Sequence, residues 1–258
     1  MQKNITEKAN VDVILPNFNK GEFLEETINS VLNQTYNNWH IYIVDDNSND
    51  HSSKIINKYS GMKKVTIREL SKNKGPSFCR NYAMRISNSK YIAFIDSDDI
   101  WRNNKLEKQI YFMEKNNLTF TYTDYTPFFE KNRKKKIKKR TFLKDYFNFE
   151  TFTKNSSINT TTMIIERSIL GTHRFQKIKL LEDYLFKCKL FKKGNIAKKL
   201  GEDLAYYRIL NTSRSSQRLK NIYWLWYINK NFNKLNFFKN ITSIFFIAIN
   251  SIKKYGIK

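Results

Sequence analysis

Carboxylates gather at two points in the first hundred residues, Asp45-Asp46 and Asp96-Ser97-Asp98-Asp99, each directly after a short apolar run. Carboxylates held that close repel one another, and a fold tolerates them when a cation or cationic ligand offsets the charge. The spacing Asp96-x-Asp98 suits a divalent ion, Mg²⁺ or Mn²⁺, held by one or two carboxylates and completed by substrate phosphates. It also suits an aspartate-rich turn that merely closes a strand. Other reactive side chains are poorly placed for chemistry. His40, His51 and His173 are scattered without metal-ligand spacing. Cys79 and Cys188 have no CxxC context and no second soft ligand, and both fall on apolar helical stripes. They read as core packing in a reducing compartment.

Periodicity says what must hold these groups. Residues 11–15 form a buried-strand run that stops at Pro16, which has no amide hydrogen for a sheet ladder. Leu24, Ile28, Val31 and Leu32 make one face of a helix over 22–33. Strands follow at 41–44 and 65–70. Gly75-Pro76-Ser77 opens a helix on which Cys79, Tyr82, Ala83 and Ile86 share a face, and a strand at 91–95 runs into Asp96. A helix through Leu106, Ile110 and Met113, strands at 118–122 and 160–165, and a helix at 183–193 complete the pattern. Alternating strand and helix predicts an α/β fold with a mostly parallel, Rossmann-like sheet flanked by helices. Ligands of such sheets sit at the carboxyl ends of the strands, which places the two acidic clusters side by side.

Five blocks stand in order around these elements: Val11 to Asn19, Ser30 to Tyr36, Ile43 to Asp50, Asn73 to Asn81 and Phe94 to Trp101. This series closely resembles the family-2 glycosyltransferases of GT-A fold. Leu181-Glu182-Asp183-Tyr184 and Tyr207-Arg208 with Ser213 extend the resemblance to about residue 216. The resemblance implies that Pro16 and Phe18 lie beside a nucleotide, with Phe18 where the family usually has tyrosine. It implies that Asp46, with Asp45 beside it, accepts a hydrogen bond from the base, which favours a uracil-like edge and a UDP-sugar. Arg80 would approach the base or diphosphate, Asp98 would bind the metal directly, Asp96 would sit nearer the ribose, and Asp99 would face the sugar. Asp183 would be the base that takes the acceptor proton, with inversion at the anomeric carbon. Without the resemblance, Glu182-Asp183 reads as an acidic first turn that complements a helix dipole. Tyr207-Arg208 would be a mobile segment closing over the diphosphate, or otherwise an exposed basic strand end. The Gln-x-x-Arg-Trp of polymer-forming members is missing, so one sugar per encounter is expected. The implied setting is bacterial surface-polysaccharide or lipid-linked glycan synthesis, with a glycan or lipid-linked acceptor.

Charge and the C-terminal segment set the partners. The chain carries 47 basic against 23 acidic residues, a net +24. That raises polyanion binding, and a catalytically silent basic binding module on the same fold is the competing class. No nucleic-acid motif is present, and carboxylates in the cleft would repel a polyanion, so no nucleic acid is expected. Eight of the ten residues from Lys131 to Arg140 are Lys or Arg, which reads as a hairpin or surface loop. No signal peptide and no apolar run long enough to span a bilayer stand out, which predicts a cytoplasmic protein. Residues 1–215 read as the catalytic domain and 216–258 as a basic helical tail. In that tail Ile241, Ile244, Phe245, Ala248, Ile249 and Ile252 form an apolar side, and Lys239, Asn240, Asn250, Lys253 and Lys254 a polar one. The apolar side either lies in the inner face of the cell membrane as a peripheral contact or packs on protein.

Overall fold

The computed structural model describes residues 10–131, 134–137, 143–210 and 218–255. Every residue of strand β1 (Val11–Asn17) is buried, as a strand covered on both faces requires. It pairs in parallel with β2 (Trp39–Asp45) along its length and with β4 (Tyr91–Phe94) over residues 11–14, while β3 (Val65–Glu69) lies outside β2. The expected stop at Pro16 is corrected: the strand runs on to Asn17, with Pro16 opposite Val44. Alternate residues of a parallel strand face alternate neighbours, and the Ile14 carbonyl accepts from the Ile95 amide on the β4 side. Pro16 faces that same side beyond the last β4 pairing, where a missing amide costs nothing.

Helices α1 (Gly21–Leu32), α2 (Ser52–Asn57) and α3 (Pro76–Ile86) connect these strands. α1 buries Leu24, Ile28 and Val31. α3 buries Cys79, Ala83 and Met84 but turns Ile86 outward, so its core stripe is narrower than the spacing suggested. Both cysteines are buried, and burial pushes the Cys188 thiol up to about 12, which fits packing rather than reactivity.

After β4 come β5 (Ile100–Trp101), α4 (Lys105–Lys115), β6 (Phe120–Lys131), β7 (Lys134–Ile137), β8 (Tyr146–Phe147), α5 (Phe149–Lys154) and β9 (Ile164–Glu166). Helix α6 (Glu182–Lys192) and strand β10 (Ala197–Arg208) follow. The sheet order is β3-β2-β1-β4-β9-β6-β10-β5. β9 runs antiparallel to β4 and β6, whereas β10 runs parallel to β6. The sheet is mixed and mainly parallel, with flanking helices, as the alternation predicted. The strand expected at 160–165 starts instead as a 3-10 turn, Thr160–Thr162, because the Asn159 side chain caps the Thr161 amide at 3.0 Å. Within the basic run, β7 pairs antiparallel with β6, so a hairpin forms there; residues 132–133 and 138–140 lie outside the described residues.

The tail is two helices, α7 (Arg218–Asn231) and α8 (Phe237–Tyr255). The boundary expected at 215/216 lies outside the described residues. α7 joins the main core through Leu225 and Ile228. A buried polar seam continues the contact: Tyr184 Oη donates to Asn229 Oδ1 (2.8 Å), Asn229 Nδ2 to Ser243 Oγ (2.8 Å), and Ser243 Oγ to the Thr153 carbonyl. The expected apolar side of α8 is split: Ile244 packs against the core, and Ile241 and Phe245 face outward with Phe237 and Phe238. Asn240 and Ser243 are the most buried of its described residues.

Lys105 is wholly buried under α4, its ammonium 2.7 Å from Gln109 Oε1 and over the Trp101 ring. Burial lowers its pKa to about 7 from 10.5. Between those values the unfolded chain holds a proton that the folded chain does not, so this group makes stability rise with pH across that window. Thermal unfolding at about pH 6 and about pH 9 should therefore show a larger gain at the higher pH for the wild type than for Lys105→Met. Equal gains would show that Lys105 is charged in the folded protein.

Candidate active site

The carboxyl ends of β1, β2 and β4, the start of α6 and the end of β10 meet on one side of the sheet. Left-handed residues shape the turns there: Asn19 (φ 50°), Asn47 (φ 61°), Gly75 (φ 88°) and Leu181 (φ 64°). Asparagine and glycine accept that conformation readily, whereas a leucine there is strained. Leu181 caps α6 and sets the direction in which Glu182 and Asp183 leave the chain.

Arg80 is the hub. It lies one turn into α3, is 5% exposed, and sends Nη2 to Asp96 Oδ1 (2.7 Å) and Nη1 to Glu182 Oε1 (3.4 Å), while Phe175 packs against its plane. Its Nε is buried without a partner. The tip of β4 and the start of α6 are thus joined through one guanidinium. The burial that opposes its charge is overcome by Asp96 and Glu182, so Arg80 stays protonated.

Asp98 meets a cation that sequence reasoning missed: Lys20 Nζ stands 3.0 Å from its Oδ2. Burial pushes the Asp98 carboxyl above its ordinary value; Lys20 opposes that shift and the Asp96 charge adds to it. Among the described residues no three His, Cys, Asp or Glu side chains converge as a metal cluster. Asp96 and Asp98 together supply two oxygen donors under mutual repulsion, a set that fits a hard divalent ion completed by phosphate oxygens.

Two sequence expectations, for Asp99 and Arg208, are placed differently. Asp99 does not face a sugar: it is fully buried, accepting from Thr161 Oγ1 and, at 2.9 Å, from the Arg208 amide. Asp46 is buried, and its oxygens accept the Lys74 and Gly75 amides, each at 2.7 Å, which ties the end of β2 to the start of α3. Asp45 likewise accepts from Asn17 and Ser48. Arg208 is neither exposed nor on a separate closing segment. It ends β10 with Nε on the Asp98 carbonyl (2.8 Å), Nη2 on Glu26 (2.6 Å), and its guanidinium between Phe23 and Phe128. Pro16 is buried at the strand end, and Phe18 beyond it is 45% exposed, an available apolar ring at the rim.

Asp183 keeps a side chain 35% exposed, with Oδ2 held by Lys187 Nζ (2.8 Å) and Thr160 Oγ1 (3.3 Å). Lys187 is almost wholly buried and is itself fixed by the Ile158 carbonyl at 2.7 Å. Burial works against the Asp183 charge, but the Lys187 ammonium, and then Arg80 and the Tyr184 amide, outweigh it and hold the pKa at about 2. The i,i+4 spacing of Asp183 and Lys187 was the available signal for this pair; Lys20 offered none.

The family model described as Glycosyl transferase family 2 matches residues 12–184. A relative from Bacillus subtilis, provisionally named teichuronic acid biosynthesis glycosyltransferase TuaG, is 32% identical over 96% of this chain and 98% of its own. The UDP-Glc:alpha-D-GlcNAc-diphosphoundecaprenol beta-1,3-glucosyltransferase WfgD of Escherichia coli is 33% identical over 84% of this chain and 83% of its own. The crystal structure of Staphylococcus aureus TarS 1-349 in complex with UDP-GlcNAc superposes with a TM-score of 0.71 at 18% identity, over 95% of this chain and 75% of that one. The last likeness shows the fold; the others show that the chain belongs to glycosyl transferase family 2.

Removing one partner of a buried ion pair strands the others. Arg80→Ala should destabilise the fold by about 3 kcal/mol in urea unfolding, with Arg80→Lys recovering part of the loss. A loss under about 1 kcal/mol would show that Asp96 and Glu182 do not depend on it.

Proposed function

We propose that this family 2 glycosyltransferase moves one sugar from a nucleoside diphosphate sugar to a hydroxyl acceptor with inversion at the anomeric carbon. The observation that carries this reading is the arrangement around Arg80. One buried cation joins the aspartates at the tip of β4 to the helix that starts at Asp183, so a site for an anionic leaving group lies next to a partly exposed carboxylate.

The acceptor oxygen attacks the anomeric carbon from the face opposite the diphosphate. The new carbon–oxygen bond forms as the sugar–phosphate bond breaks, and the hydroxyl proton passes to Asp183. Lys187 and Thr160 fix one oxygen of that carboxylate and orient it. A carboxylate with a pKa of about 2 is a weak base, so the transfer comes late, once bond formation has made the hydroxyl acidic. Asp98, with Asp96 beside it, would hold the ion, with Lys20 the cation that gives way. When bound, Mg²⁺ or Mn²⁺ supplies Lewis-acid stabilisation of the charge on the departing diphosphate. Phe18, exposed at the end of β1, offers an apolar surface to the nucleoside.

The names and bound ligands of relatives support the substrate classes. TarS structures hold UDP and UDP-GlcNAc, and a mannosyltransferase from Pyrobaculum calidifontis holds GDP-Man and Mn²⁺. WfgD is named for a diphosphoundecaprenol-linked acceptor, and TuaG for teichuronic acid biosynthesis. These names support, for this chain, a UDP-sugar donor and a lipid-linked or polymeric bacterial surface glycan acceptor.

Two substitutions separate the roles. Asp98→Ala should abolish the Mn²⁺-dependent part of UDP affinity in calorimetry. Asp183→Asn should keep that affinity while transfer falls about a thousandfold. Transfer at the original rate in Asp183→Asn would remove the base from Asp183.

A further inference from the structure

Helix α8 packs on the domain through a mixed stripe, Asn240 and Ser243, each 1% exposed, with Ile244 and Ile247 against the core. Its other side carries Phe237, Phe238 and Phe245, which are 62%, 76% and 59% exposed, and it leaves a large apolar area in water. The patch crosses to α7: Trp226 meets the Phe237 ring at 5.7 Å, and Tyr223 and Tyr227 stack on the same helix with both rings exposed. Aliphatic Leu219 and Ile241 are exposed as well. Around it stand Lys220, Lys230, Lys234 and Lys239, all exposed. After Asp203 the sequence contains ten Lys or Arg residues and no Asp or Glu.

No helix is long and apolar enough to cross a membrane among the described residues. An aromatic and aliphatic face ringed by four exposed lysines, with Glu150 of α5 the acidic neighbour of Lys239, matches instead the boundary between headgroups and acyl chains of an anionic bilayer. A second copy fits poorly, since a two-fold contact through this face would set four lysines of each copy against one another, a net like-charge contact even with Glu150 beside Lys239. A polyanion such as single-stranded nucleic acid would use the lysines and rings but gives outward aliphatic side chains nothing to bury against. We propose that the α7–α8 face seats on an anionic phospholipid surface, with its phenylalanines entering the interface and its lysines facing the headgroups. This rests on the exposed face alone and stands whether or not the reading of the catalytic site holds.

The test is co-sedimentation of the full chain with vesicles of phosphatidylcholine alone or mixed with phosphatidylglycerol, at low and high salt. The wild type should bind the mixed vesicles and release with salt. Phe238→Ser/Phe245→Ser and Lys230→Glu/Lys239→Glu should each bind about tenfold more weakly, with unchanged circular dichroism. If the serine pair loses its helical signal, the glutamate pair decides by itself, because both of its positions are solvent-exposed. Three results would each overturn the proposal: equal binding by variants and wild type, a dimer in light scattering that the phenylalanine substitutions dissolve, or binding to oligothymidylate without binding to vesicles.

Discussion

A single buried guanidinium sets the geometry on which the site depends. Arg80 enters the interior because it reaches two carboxylates from segments remote in sequence, Asp96 at the end of β4 and Glu182 at the start of α6. A cation so deeply buried needs both partners, and each partner is held where Arg80 requires it. The separation between the β4 aspartates and Asp183 is therefore fixed by one side chain rather than by the flexibility of two loops. The strained turn at Leu181 is the backbone counterpart: it persists because the contacts on either side of it leave no alternative.

The acidic residues divide by what their oxygens already accept. Asp45, Asp46 and Asp99 are engaged by backbone amides and hydroxyls, and they build the walls: the turn after β2, the start of α3, and the joint between β4 and the end of β10. Asp96, Asp98 and Asp183 are paired with cationic side chains and keep part of their surface in solvent. The part-exposed Lys20 ammonium can yield Asp98 to another cation at modest cost, whereas a carboxylate bound by two amides would have to unfold a turn.

That division is also the limit of what the sequence displayed. The alternation of apolar runs and turn residues placed β1, β2, β4, α1 and α3, and the ordered blocks picked out the strand ends where the site lies. Local pattern could not say which aspartate faces inward, because Asp98 and Asp99 are neighbours whose fates depend on Thr161, Arg208 and Lys20, all remote in sequence. β10 was invisible because Lys198, Lys199, Gly201, Glu202 and Asp203 break its alternation, and the register shifts there accommodate them. The inward stripe of α8 was likewise unreadable. Apolar spacing identifies a helix with two unlike sides, but Asn229 and Thr153, which offer partners to Ser243, help turn inward a mixed stripe that also carries Ile244 and Ile247.

The same seam ties the tail to the chemistry. α6 leaves the Asp183 side chain 35% exposed, while the next residue, Tyr184, is buried and donates to Asn229 of α7. Asn229 in turn receives Asn233 and gives to Ser243, so α7 and α8 are registered against α6 by directional bonds rather than by apolar contact alone. Hydrogen bonds buried this deeply tolerate little sliding, because each misaligned partner would be left unsatisfied. The tail and the carboxylate of Asp183 are consequently held by adjacent residues of one helix. An orientation imposed on the tail is an orientation imposed on the cleft, without any moving part between them.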